Sequence, residues 1–517
     1  MGLQHEETVA TPPYSVARFI CEGYAEDPFK QMVVGVNEGI TYAEAYRRMM
    51  ALAGYLQSEC QVGEGDAVMV AAPNIVSYFA LVGAVQLAGA NVALMSPTVE
   101  RAEFQGIYDR VRPKAALVST AAHCAFAAEC SPQTKVMTVG CEVEGVPSVE
   151  GAWRSSAPWS TPHYGDDPIF VLFTSGSTGT PKAVQLRGSA FCRHAGELVP
   201  ALKIRKGEVF FIPVPFAHVY GVVAMHAALS MHATVATMVK YRPETALSLI
   251  SSTRASVYMG VSTMYLRELR ENQDGEWDIS CLRAGLVAGA TSPLAVFEEY
   301  QQRYGAILVN SYGMTETASP ALLFPLDSPT SVFAGATGKP VPGVDARIVD
   351  ERGHEVPWGE TGELLLRGAC VTAGYFRHDN GEIEPDGWLH TGDVAYANEE
   401  GMVWVVDRLK DMINRGGEKV WCSALEEVLC EVSGVSESCV AGIPDELYGE
   451  VPVAAIVRDP GSDITGPQIS EALAGRIAHF KIPVHYVFVD KIPQTRGDKP
   501  NRAAVRDAVL ATLGHES

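Results

Sequence analysis

Short apolar runs alternate with amphipathic segments along the first part of the chain. DAVMVAAP (66–73) predicts a buried strand that ends at proline, and NIVSYFALVGAVQLAGA, directly after it, has apolar residues at helical spacing. NVALMSP predicts the next strand, and VFFIPVPF, SVYMG, LRAGLVAG and AILVNSYG repeat the theme later in the chain. This alternation is typical of parallel βαβ units. Because ligands bind beyond the carboxyl ends of strands in open α/β sheets, the residues that follow each strand are the candidates for chemistry.

The pattern changes beyond about Gly335. DARIVDERGHEVPWGETGELLLRG alternates apolar and polar residues between glycine-rich turns, which predicts antiparallel β structure. A strand at MVWVVDRLKDMI, a helix at SALEEVLCEV and a strand at VPVAAIV follow. The charged stretch from Asp407 to Asp411, just after a buried strand, predicts the boundary between an N-terminal domain (1–407) and a C-terminal domain (408–517).

These patterns together predict an α/β fold with a large N-terminal domain and a small C-terminal one. The N-terminal domain would consist of βαβ-layered subdomains plus a β-rich subdomain, and the C-terminal domain would be a small, mobile α+β unit. The length of 517 residues agrees with this division, because it exceeds what one ordinary core accommodates.

Composition excludes several classes of protein. Hydrophobic residues make up 47% of the chain and charged residues 20%, as in soluble globular proteins. The net charge of −21 argues against a nucleic-acid partner. The N-terminal MGLQHEETVATPPYS lacks the features of a signal peptide, and no apolar run reaches membrane-spanning length, so we expect no integral membrane association. Eleven cysteines without a CxxC pair predict a cytoplasmic location.

The stretch FVLFTSGSTGTPKAV (170–184) joins a buried strand to a loop of small and hydroxylated residues that ends in lysine. Glycines let the backbone approach a ligand closely, and hydroxyls, loop N–H groups and the lysine are donors suited to a triphosphate. The predicted contacts are Thr174, Ser175, Gly176, Ser177, Thr178, Gly179 and Lys182. The loop is not a Walker A motif, because Pro181 precedes the lysine and Ala183 follows it.

TSGSTGTPKAV resembles the signature loop of the acyl-adenylating superfamily, which contains acyl-CoA synthetases, nonribosomal adenylation domains and beetle luciferases. Further matches occur in the family's order. VPFAHVYG resembles its aromatic–histidine segment, LVAGATSPL its SGGAPL segment and NSYGMTETA its YGMTE motif. GATGKPVPGV, GWLHTGDVAY, VDRLKDMINRGGEKV and PQTRGDKPNR complete the set, which spans Thr174 to Arg502.

The resemblance implies a reaction in two steps. A carboxylate attacks the α-phosphate of ATP, which gives an acyl-adenylate and pyrophosphate; a thiol then attacks the mixed anhydride and releases AMP. Since an anion must approach a polyanion, cations and oriented N–H groups are needed where negative charge develops. The implied cofactors are ATP, Mg²⁺ and coenzyme A.

The YGMTE motif carries the implied catalytic contacts to the nucleotide. Glu316 matches the family's Mg²⁺-binding glutamate, since a hard cation favours an oxygen ligand. Thr315 would bind the α-phosphate. Tyr312 would stack near the adenine, with Gly313 beside it.

The later motifs place further contacts. Asp393 in HTGD matches the carboxylate that accepts both ribose hydroxyls, and Arg408 resembles the family's second contact to ribose and phosphate. Lys410 falls at the family's hinge, where rotation would exchange the two faces of the C-terminal domain. One face would bring the catalytic lysine, and the other NRGGEKV, where Gly416 and Gly417 would let the backbone approach the thiol.

Lys499, in PQTRGDK, lies at the spacing of the family's catalytic lysine. The resemblance implies that it neutralises charge on the carboxylate and α-phosphate during adenylation. The chain departs from the family beside it, with Asp498 in place of the usual glycine and Pro500 in place of an aliphatic residue. A carboxylate at that position would either hold the lysine or partly offset its charge.

Two segments are expected to line the acyl pocket. His218 and Tyr220 match positions beside the acyl group, and Ala288, Gly289 and Ala290 match a floor of small residues. Family members that activate amino acids carry an aspartate in the aromatic segment, whereas this chain reads FAH there. Because an unpaired ammonium is costly to bury, this favours a fatty or aromatic acid over an α-amino acid.

Several alternatives stay open at this point. The acyl acceptor could be a carrier-protein thiol instead of coenzyme A, and the chain could be a non-catalytic nucleotide-binding relative that lost its chemistry through the GDKP departure. A luciferase-type oxygenase would share the same motifs. A homodimer is also left open.

Overall fold

In a computed structural model of the chain, the described residues are 11, 13–155, 157, 160, 168–174, 181–289, 294–325, 335–372, 374–376, 382–494 and 500–515. They divide into two compact units. The first comprises Met1–Asp345 and Leu366–Leu389, and the second comprises Ala346–Leu365 and His390–Ser517.

Strands and helices alternate through the first unit. Its strands are β1 (Gln31–Val34), β2 (Gly39–Thr41), β3 (Ala67–Ala71), β4 (Asn91–Leu94), β5 (Ala115–Val118), β6 (Lys135–Thr138), β7 (Pro168–Thr174), β8 (Lys182–Arg187), β9 (Val209–Phe211), β10 (Thr234–Ala236), β11 (Val257–Gly260), β12 (Ala284–Val287), β13 (Ile307–Tyr312), β14 (Leu322–Leu323) and β15 (Lys339–Pro340). Its helices are α1 (Val16–Glu26), α2 (Tyr42–Ser58), α3 (Tyr78–Leu87), α4 (Arg101–Val111), α5 (Ala121–Cys130), α6 (Val149–Ala152), α7 (Gly188–Ala201), α8 (Val219–Ser230), α9 (Pro243–Thr253), α10 (Ser262–Glu271) and α11 (Leu294–Tyr304).

Two mainly parallel sheets organise this unit. One has the order β6-β5-β3-β4-β7-β8 and is parallel except for the antiparallel β7–β8 pair. The other has the order β15-β14-β13-β12-β11-β9-β10-β1-β2 and is parallel from β13 to β1. The strands predicted from apolar runs are therefore confirmed, and their carboxyl ends share sheet edges as expected.

The helix predicted after β3 shows how burial differs from the expectation. All ten residues of α3 are buried, so the helix has no solvent-exposed face, and its one amide side chain, Gln86, accepts from the N–H of Val16 over 2.9 Å. It packs against both α1 and α2, which cover the sides that would otherwise face water. A helix enclosed in this way needs no polar face.

The other elements lie wholly or mostly in the second unit. They are β16 (Val344–Val349), β17 (Gly362–Gly368), β18 (Leu389–Ala397), β19 (Val403–Arg408), β20 (Ile413–Arg415), β21 (Glu418–Val420), β22 (Val435–Asp445), β23 (Gly449–Arg458), β24 (His485–Phe488), α12 (Cys422–Cys430), α13 (Gly466–Leu473) and α14 (Arg502–His515). One sheet has the order β16-β17-β18-β19, and the other has the order β21-β20-β23-β22 with β24 parallel to β23.

The two compact units do not divide the chain at the predicted boundary of 407/408, because the second unit also contains residues before 408. The carboxylate of Asp407, at the end of β19, accepts hydrogen bonds from the backbone N–H of Ser423 (3.0 Å) and of Arg408 (2.8 Å). This ties β19 to the first turn of α12, where an anion is favoured by the helix terminus. The second unit thus includes β19, and the predicted domain boundary stays a prediction.

No helix among the described residues is both long and apolar enough to cross a lipid bilayer.

Candidate active site

The hairpin of β7 and β8 carries the ends of the glycine-rich loop. Thr174 and Lys182 are paired across this hairpin, so the two ends of the loop are adjacent. β7 is parallel to β4, and the loop leaves the carboxyl end of β7, as the sequence predicts. The loop residues Ser175, Gly176, Ser177, Thr178 and Gly179 lie outside the described residues.

Lys182 lies between an acid and an aromatic ring. Its Nζ forms an ion pair with Glu382, and it lies 5.2 Å from the centre of the Tyr375 ring. Both charged side chains are partly exposed, at 21% for Lys182 and 38% for Glu382, so the pair is screened by solvent. A polyanion that approaches Lys182 would compete with Glu382 for its charge.

Glu316 is buried beyond the carboxyl end of β13, in the nine-stranded sheet of the first unit. It belongs to a 3₁₀ turn, Thr315–Thr317, that follows β13, and only 5% of its surface is exposed. The Tyr375 hydroxyl donates to its Oε1 over 3.1 Å. Burial raises the pKa of Glu316, and the Tyr375 hydroxyl and the charge of Lys182 oppose this effect. A cation beside Glu316 would favour its ionised form, which is the requirement for a metal ligand.

A short segment after β17 brings these groups together. The N–H of Thr372 donates to the carbonyl of Glu316 (2.7 Å), and the N–H of Phe376 donates to the carbonyl of Ala183 (2.7 Å). Tyr375 lies between these two attachments, opposite Val184 in an isolated β-bridge. The segment therefore places one phenol against both the turn of Glu316 and the strand of Lys182.

Sequence reasoning missed Tyr375, Thr372 and Glu382. A tyrosine beside a glycine usually indicates packing, and a single exposed acid carries no signal. The contact of Tyr375 with Glu316 joins residues 59 positions apart, which no local pattern reveals.

The backbone before Glu316 is closely packed. A Cβ at Gly313 would lie 2.9 Å from Oγ of Ser319 and 3.0 Å from its Cα, so no larger residue fits without displacement. Tyr312 is half-buried at the end of β13, and its carbonyl accepts from the N–H of Ala321 over 2.8 Å. Thr315 is buried beside Glu316. The YGMTE residues thus form one rigid reversal at a strand exit.

Four of the five predicted acyl-pocket residues are described. His218 is exposed and caps α8, with its Nδ1 accepting from the N–H of Tyr220 over 3.2 Å. Tyr220 is only 4% exposed, and its hydroxyl donates to the carbonyl of Leu286 in β12 over 2.8 Å. Ala288, which is buried, and Gly289, which is exposed and has φ +90°, directly follow β12. The hydrogen bond therefore joins the two predicted segments, whereas Ala290 lies outside the described residues.

The predicted ribose contacts lie side by side in the second unit. Asp393 of β18 and Arg408 of β19 are cross-strand partners, with 3.0 Å between Nε of Arg408 and Oδ1 of Asp393. Asp393 is buried, whereas the side chain of Arg408 is 46% exposed. The guanidinium orients the carboxylate, and its exposed remainder is available to contact a ligand.

Lys410 lies in an exposed 3₁₀ turn, Leu409–Asp411, directly after β19. Lys499 lies outside the described residues. Gln494 and Pro500, the described residues nearest to Lys499 on its two sides, pair in an isolated bridge and are therefore adjacent.

Gly416 and Gly417 form the two-residue turn of the β20–β21 hairpin. Arg415 and Glu418 pair across the turn, and the two glycines have φ +62° and φ +97°. Two-residue hairpin turns of this kind require positive φ at both positions, which favours glycine. The hairpin thus accounts for both glycines, and their predicted role toward a thiol stays a prediction.

The described residues contain no group of three or more histidine, cysteine, aspartate or glutamate side chains arranged to hold a metal ion. Glu316 offers a buried carboxylate of the kind that Mg²⁺ commonly takes together with phosphate oxygens, and its role as a metal ligand stays a prediction.

Two family models together match most of the chain. The model of the AMP-binding enzyme family matches residues 22–376, and the model of the AMP-binding enzyme C-terminal domain matches residues 424–499.

Among curated proteins, the feruloyl-CoA synthase of Amycolatopsis sp is 31% identical over 476 residues, which cover 90% of this chain and 93% of that protein. The fatty acid–[acyl-carrier-protein] ligase ScoC of Streptomyces coeruleorubidus is 32% identical over 350 residues, 66% of this chain and 67% of ScoC. YngI of Bacillus subtilis (strain 168) is 32% identical over 352 residues, and the match spans 64% of YngI.

Among solved structures, ATP-bound MatB from Rhodopseudomonas palustris superposes with a TM-score of 0.86 at 27% identity, covering 95% of this chain and 98% of MatB. The predicted fold class, with a large N-terminal and a small C-terminal domain, is confirmed by this similarity.

Proposed function

Because the chain belongs to the AMP-binding enzyme family, we propose that it is an acyl-CoA synthetase whose adenylation site is built around Glu316 and Lys182. It activates a carboxylic acid with ATP, forms an acyl-adenylate with release of pyrophosphate, and transfers the acyl group to the thiol of coenzyme A with release of AMP. ATP, Mg²⁺ and coenzyme A are the cofactors of this reaction.

The observation that carries the proposal is the cluster of Lys182, Tyr375 and Glu316 at the exit of the glycine-rich loop. It combines a cation, a phenol and a buried acid whose pKa is raised by burial. Adenylation brings a carboxylate to a triphosphate, so positive charge must be concentrated where the anions meet. Lys182 supplies one such charge when phosphate oxygens replace Glu382 as its partner.

Glu316 would hold the Mg²⁺ that accompanies ATP. An ion held there would supply positive charge beside the phosphates. Tyr375 keeps the carboxylate of Glu316 in place by donating its hydroxyl. Thr315 would bind the α-phosphate.

In the second unit, Asp393 would accept the ribose hydroxyls, held in place by Arg408. Lys499 would neutralise the α-phosphate during adenylation. Rotation at Lys410 would then replace Lys499 with the β20–β21 turn at Gly416 and Gly417, where the thiol enters.

An aromatic or fatty acid is the proposed substrate. The described pocket residues His218, Tyr220, Ala288 and Gly289 include no carboxylate to pair with an α-ammonium group. The feruloyl-CoA synthase of Amycolatopsis sp is named for an aromatic acyl group, and ScoC is named for a fatty acid.

A carrier-protein thiol is the alternative acceptor, and the name of ScoC favours it as the second candidate. We place the enzyme in a reducing cytoplasm, since all eleven cysteines are free.

The proposal is tested by pyrophosphate release from ATP and Mg²⁺ across a panel of aliphatic, aryl and amino acids, with and without coenzyme A. The expected result is release with aryl or aliphatic acids, followed by thioester formation when coenzyme A is added. A phosphopantetheinylated carrier protein, offered in place of coenzyme A, tests the alternative acceptor: thioester formation on the carrier protein and not on coenzyme A would favour it. Absence of release across the panel, with ATP still bound, would favour the non-catalytic relative.

A further inference from the structure

His194, on α7, is fully buried and contacts the turn that carries Glu316. Its Nε2 lies 2.8 Å from the carbonyl oxygen of Thr317, the residue after Glu316. A carbonyl oxygen only accepts, so Nε2–H donates and Nδ1 is left without a proton. In the described part of the chain, Nδ1 has no hydrogen-bond partner. The ring is thus committed to one contact, and that contact is to the turn.

The turn combines short-range hydrogen bonds with an unusual backbone. Thr315–Thr317 is a single 3₁₀ turn, closed by the N–H of Ala318 on the carbonyl of Thr315 at 3.1 Å, and the N–H of Met314 donates to Oγ1 of Thr317 over 3.1 Å. The chain then passes through Ala318 at φ +54° and Ser319 at φ +37°, in the left-handed region that non-glycine residues rarely adopt. Contacts from outside the turn therefore help to hold this backbone in place.

In the described part of the chain, three hydrogen bonds from residues far from the turn in sequence reach Glu316 and Thr317. Thr372 donates to the carbonyl of Glu316, Tyr375 donates to its carboxylate, and His194 donates to the carbonyl of Thr317. Of these three, the contact from Tyr375 reaches the carboxylate directly. The other two hold the carbonyls of Glu316 and Thr317, which belong to the two peptide groups directly after the Glu316 Cα, and so fix the backbone from which its side chain leaves.

We propose that His194 is a positioning residue for Mg²⁺–ATP binding, acting through the Thr317 carbonyl on the orientation of Glu316. The inference rests on the proposed function of Glu316. It requires only a neutral N–H donor at this position, so a glutamine that reaches the same carbonyl would serve. An apolar side chain would leave the buried carbonyl unpaired and the turn free to shift.

The chain offers a matched control in His226, on α8. It is also fully buried, one ring nitrogen lies 2.8 Å from the carbonyl of Val222, and its Nε2 has no partner in the described part of the chain. Val222 belongs to the same helix as His226, so this contact does not reach the turn. Burial lowers the pKa of both histidines to about 4, so both are neutral at pH 7.

The experiment compares His194→Leu, His194→Gln and His226→Leu. ATP affinity is measured by calorimetry with and without Mg²⁺, beside the KM for the carboxylic acid. We expect His194→Leu to lose about tenfold in ATP affinity with Mg²⁺, the usual size of an outer-sphere effect on metal affinity. Without Mg²⁺ the affinity and the KM for the acid should be nearly unchanged. His194→Gln should restore most of the loss, and His226→Leu should cause none.

Equal losses in His194→Leu and His226→Leu, or a loss that is the same without Mg²⁺, would overturn the inference. If His194→Leu does not fold, His194→Met takes its place. A second check adds His194→Leu to Glu316→Gln, where it should have no further effect on Mg²⁺-dependent affinity. Wild-type protein that fails to release pyrophosphate contradicts the proposed function instead, so the two failures are distinguishable.

Discussion

At the residue scale, the hydroxyl of Tyr375 stabilises the ionised form of a buried carboxylate. It donates to Oε1 of Glu316 over 3.1 Å and so opposes the rise in the pKa of Glu316 that burial causes. Tyr375→Phe removes this donor and keeps the ring near Lys182. The pKa of Glu316 should rise further, and Mg²⁺-dependent ATP affinity, measured by calorimetry, should fall about tenfold.

Tyr300→Phe is the matched control for this change. Tyr300 also donates its hydroxyl to a buried glutamate, Glu268, over 2.8 Å, but it lies in the core around β11 and β12. It should lower thermal stability and leave ATP affinity unchanged. A similar loss of affinity in both variants would show that Tyr375 acts through general stability.

The residues of this site differ in how far the sequence could predict them. Lys182 and Glu316 belong to motifs that keep their order along the chain. Tyr375 and His194 could not be predicted, because their contacts to the turn join positions 59 and 123 residues apart. A buried histidine on an apolar helix face also gives the pattern of an ordinary core residue.

At the scale of elements, two glycines with opposite backbone requirements make a matched pair. Gly196 is exposed within α7, and a Cβ there would meet open space. Gly417 has φ +97° in the β20–β21 turn, and a Cβ there would also meet no atom within 4 Å. Steric contact is thus the same in both positions, and only the backbone conformation differs.

Gly196→Ala should stabilise the protein by about 0.5–1 kcal/mol, since alanine is the better helix former. Gly417→Ala should destabilise it by about 1–2 kcal/mol, because the left-handed region disfavours a Cβ. Urea unfolding followed by circular dichroism checks both. Equal effects of one sign would contradict the assignment of Gly417 to a turn that requires glycine.

The elements were predicted well where an apolar run is short and bounded. β3, β4, β11 and β12 follow this pattern. The return strand β8 was not predicted from KAVQLR, because its pairing with β7 depends on the hairpin and not on its own composition. The turn at Gly416 was interpreted through the family resemblance, whereas the hairpin register supplies the local reason for both glycines.

At the scale of the whole molecule, a buried acid makes stability depend on pH. Glu268 is fully buried, and its carboxylate accepts hydrogen bonds from the hydroxyls of Tyr258, Tyr300 and Tyr241. Burial outweighs the effect of these donors and raises the pKa of Glu268 from 4.5 to about 7. The folded state retains this proton up to about pH 7, whereas the unfolded chain loses it near pH 4.5. The contribution to stability is therefore full below pH 4.5 and is lost as the pH rises to about 7.

Glu268→Gln removes this titration. Its stability relative to the wild type should improve by about 3 kcal/mol as the pH rises from 4.5 to 7.5, whatever the constant offset at low pH. Thermal unfolding across this range measures the difference. A gap between the two proteins that does not change with pH would contradict the assignment.

His226→Leu should show the opposite trend. The folded-state pKa of His226 is about 4 against an ordinary 6.5, so the wild type loses stability as the pH falls from 6.5 to 4. The variant lacks this loss. The amount by which it is less stable than the wild type should therefore shrink as the pH falls from 6.5 to 4, as measured by thermal unfolding.

The organisation of the whole chain was predictable in outline. The change from βαβ alternation to antiparallel patterning identified two regions, and both family models match in that order. The position of the boundary depends on contacts such as that between Asp407 and Ser423, which join distant positions and leave no trace in local composition.

The most direct test of the central claim is acid-dependent exchange of labelled pyrophosphate into ATP without coenzyme A. Exchange requires reversible formation of an acyl-adenylate and nothing later in the reaction. We predict exchange with an aryl or fatty acid that needs Mg²⁺ and is strongly reduced in Glu316→Gln. No exchange with any acid while ATP remains bound, or exchange unaffected by Glu316→Gln, would contradict an adenylation site built around Glu316 and Lys182.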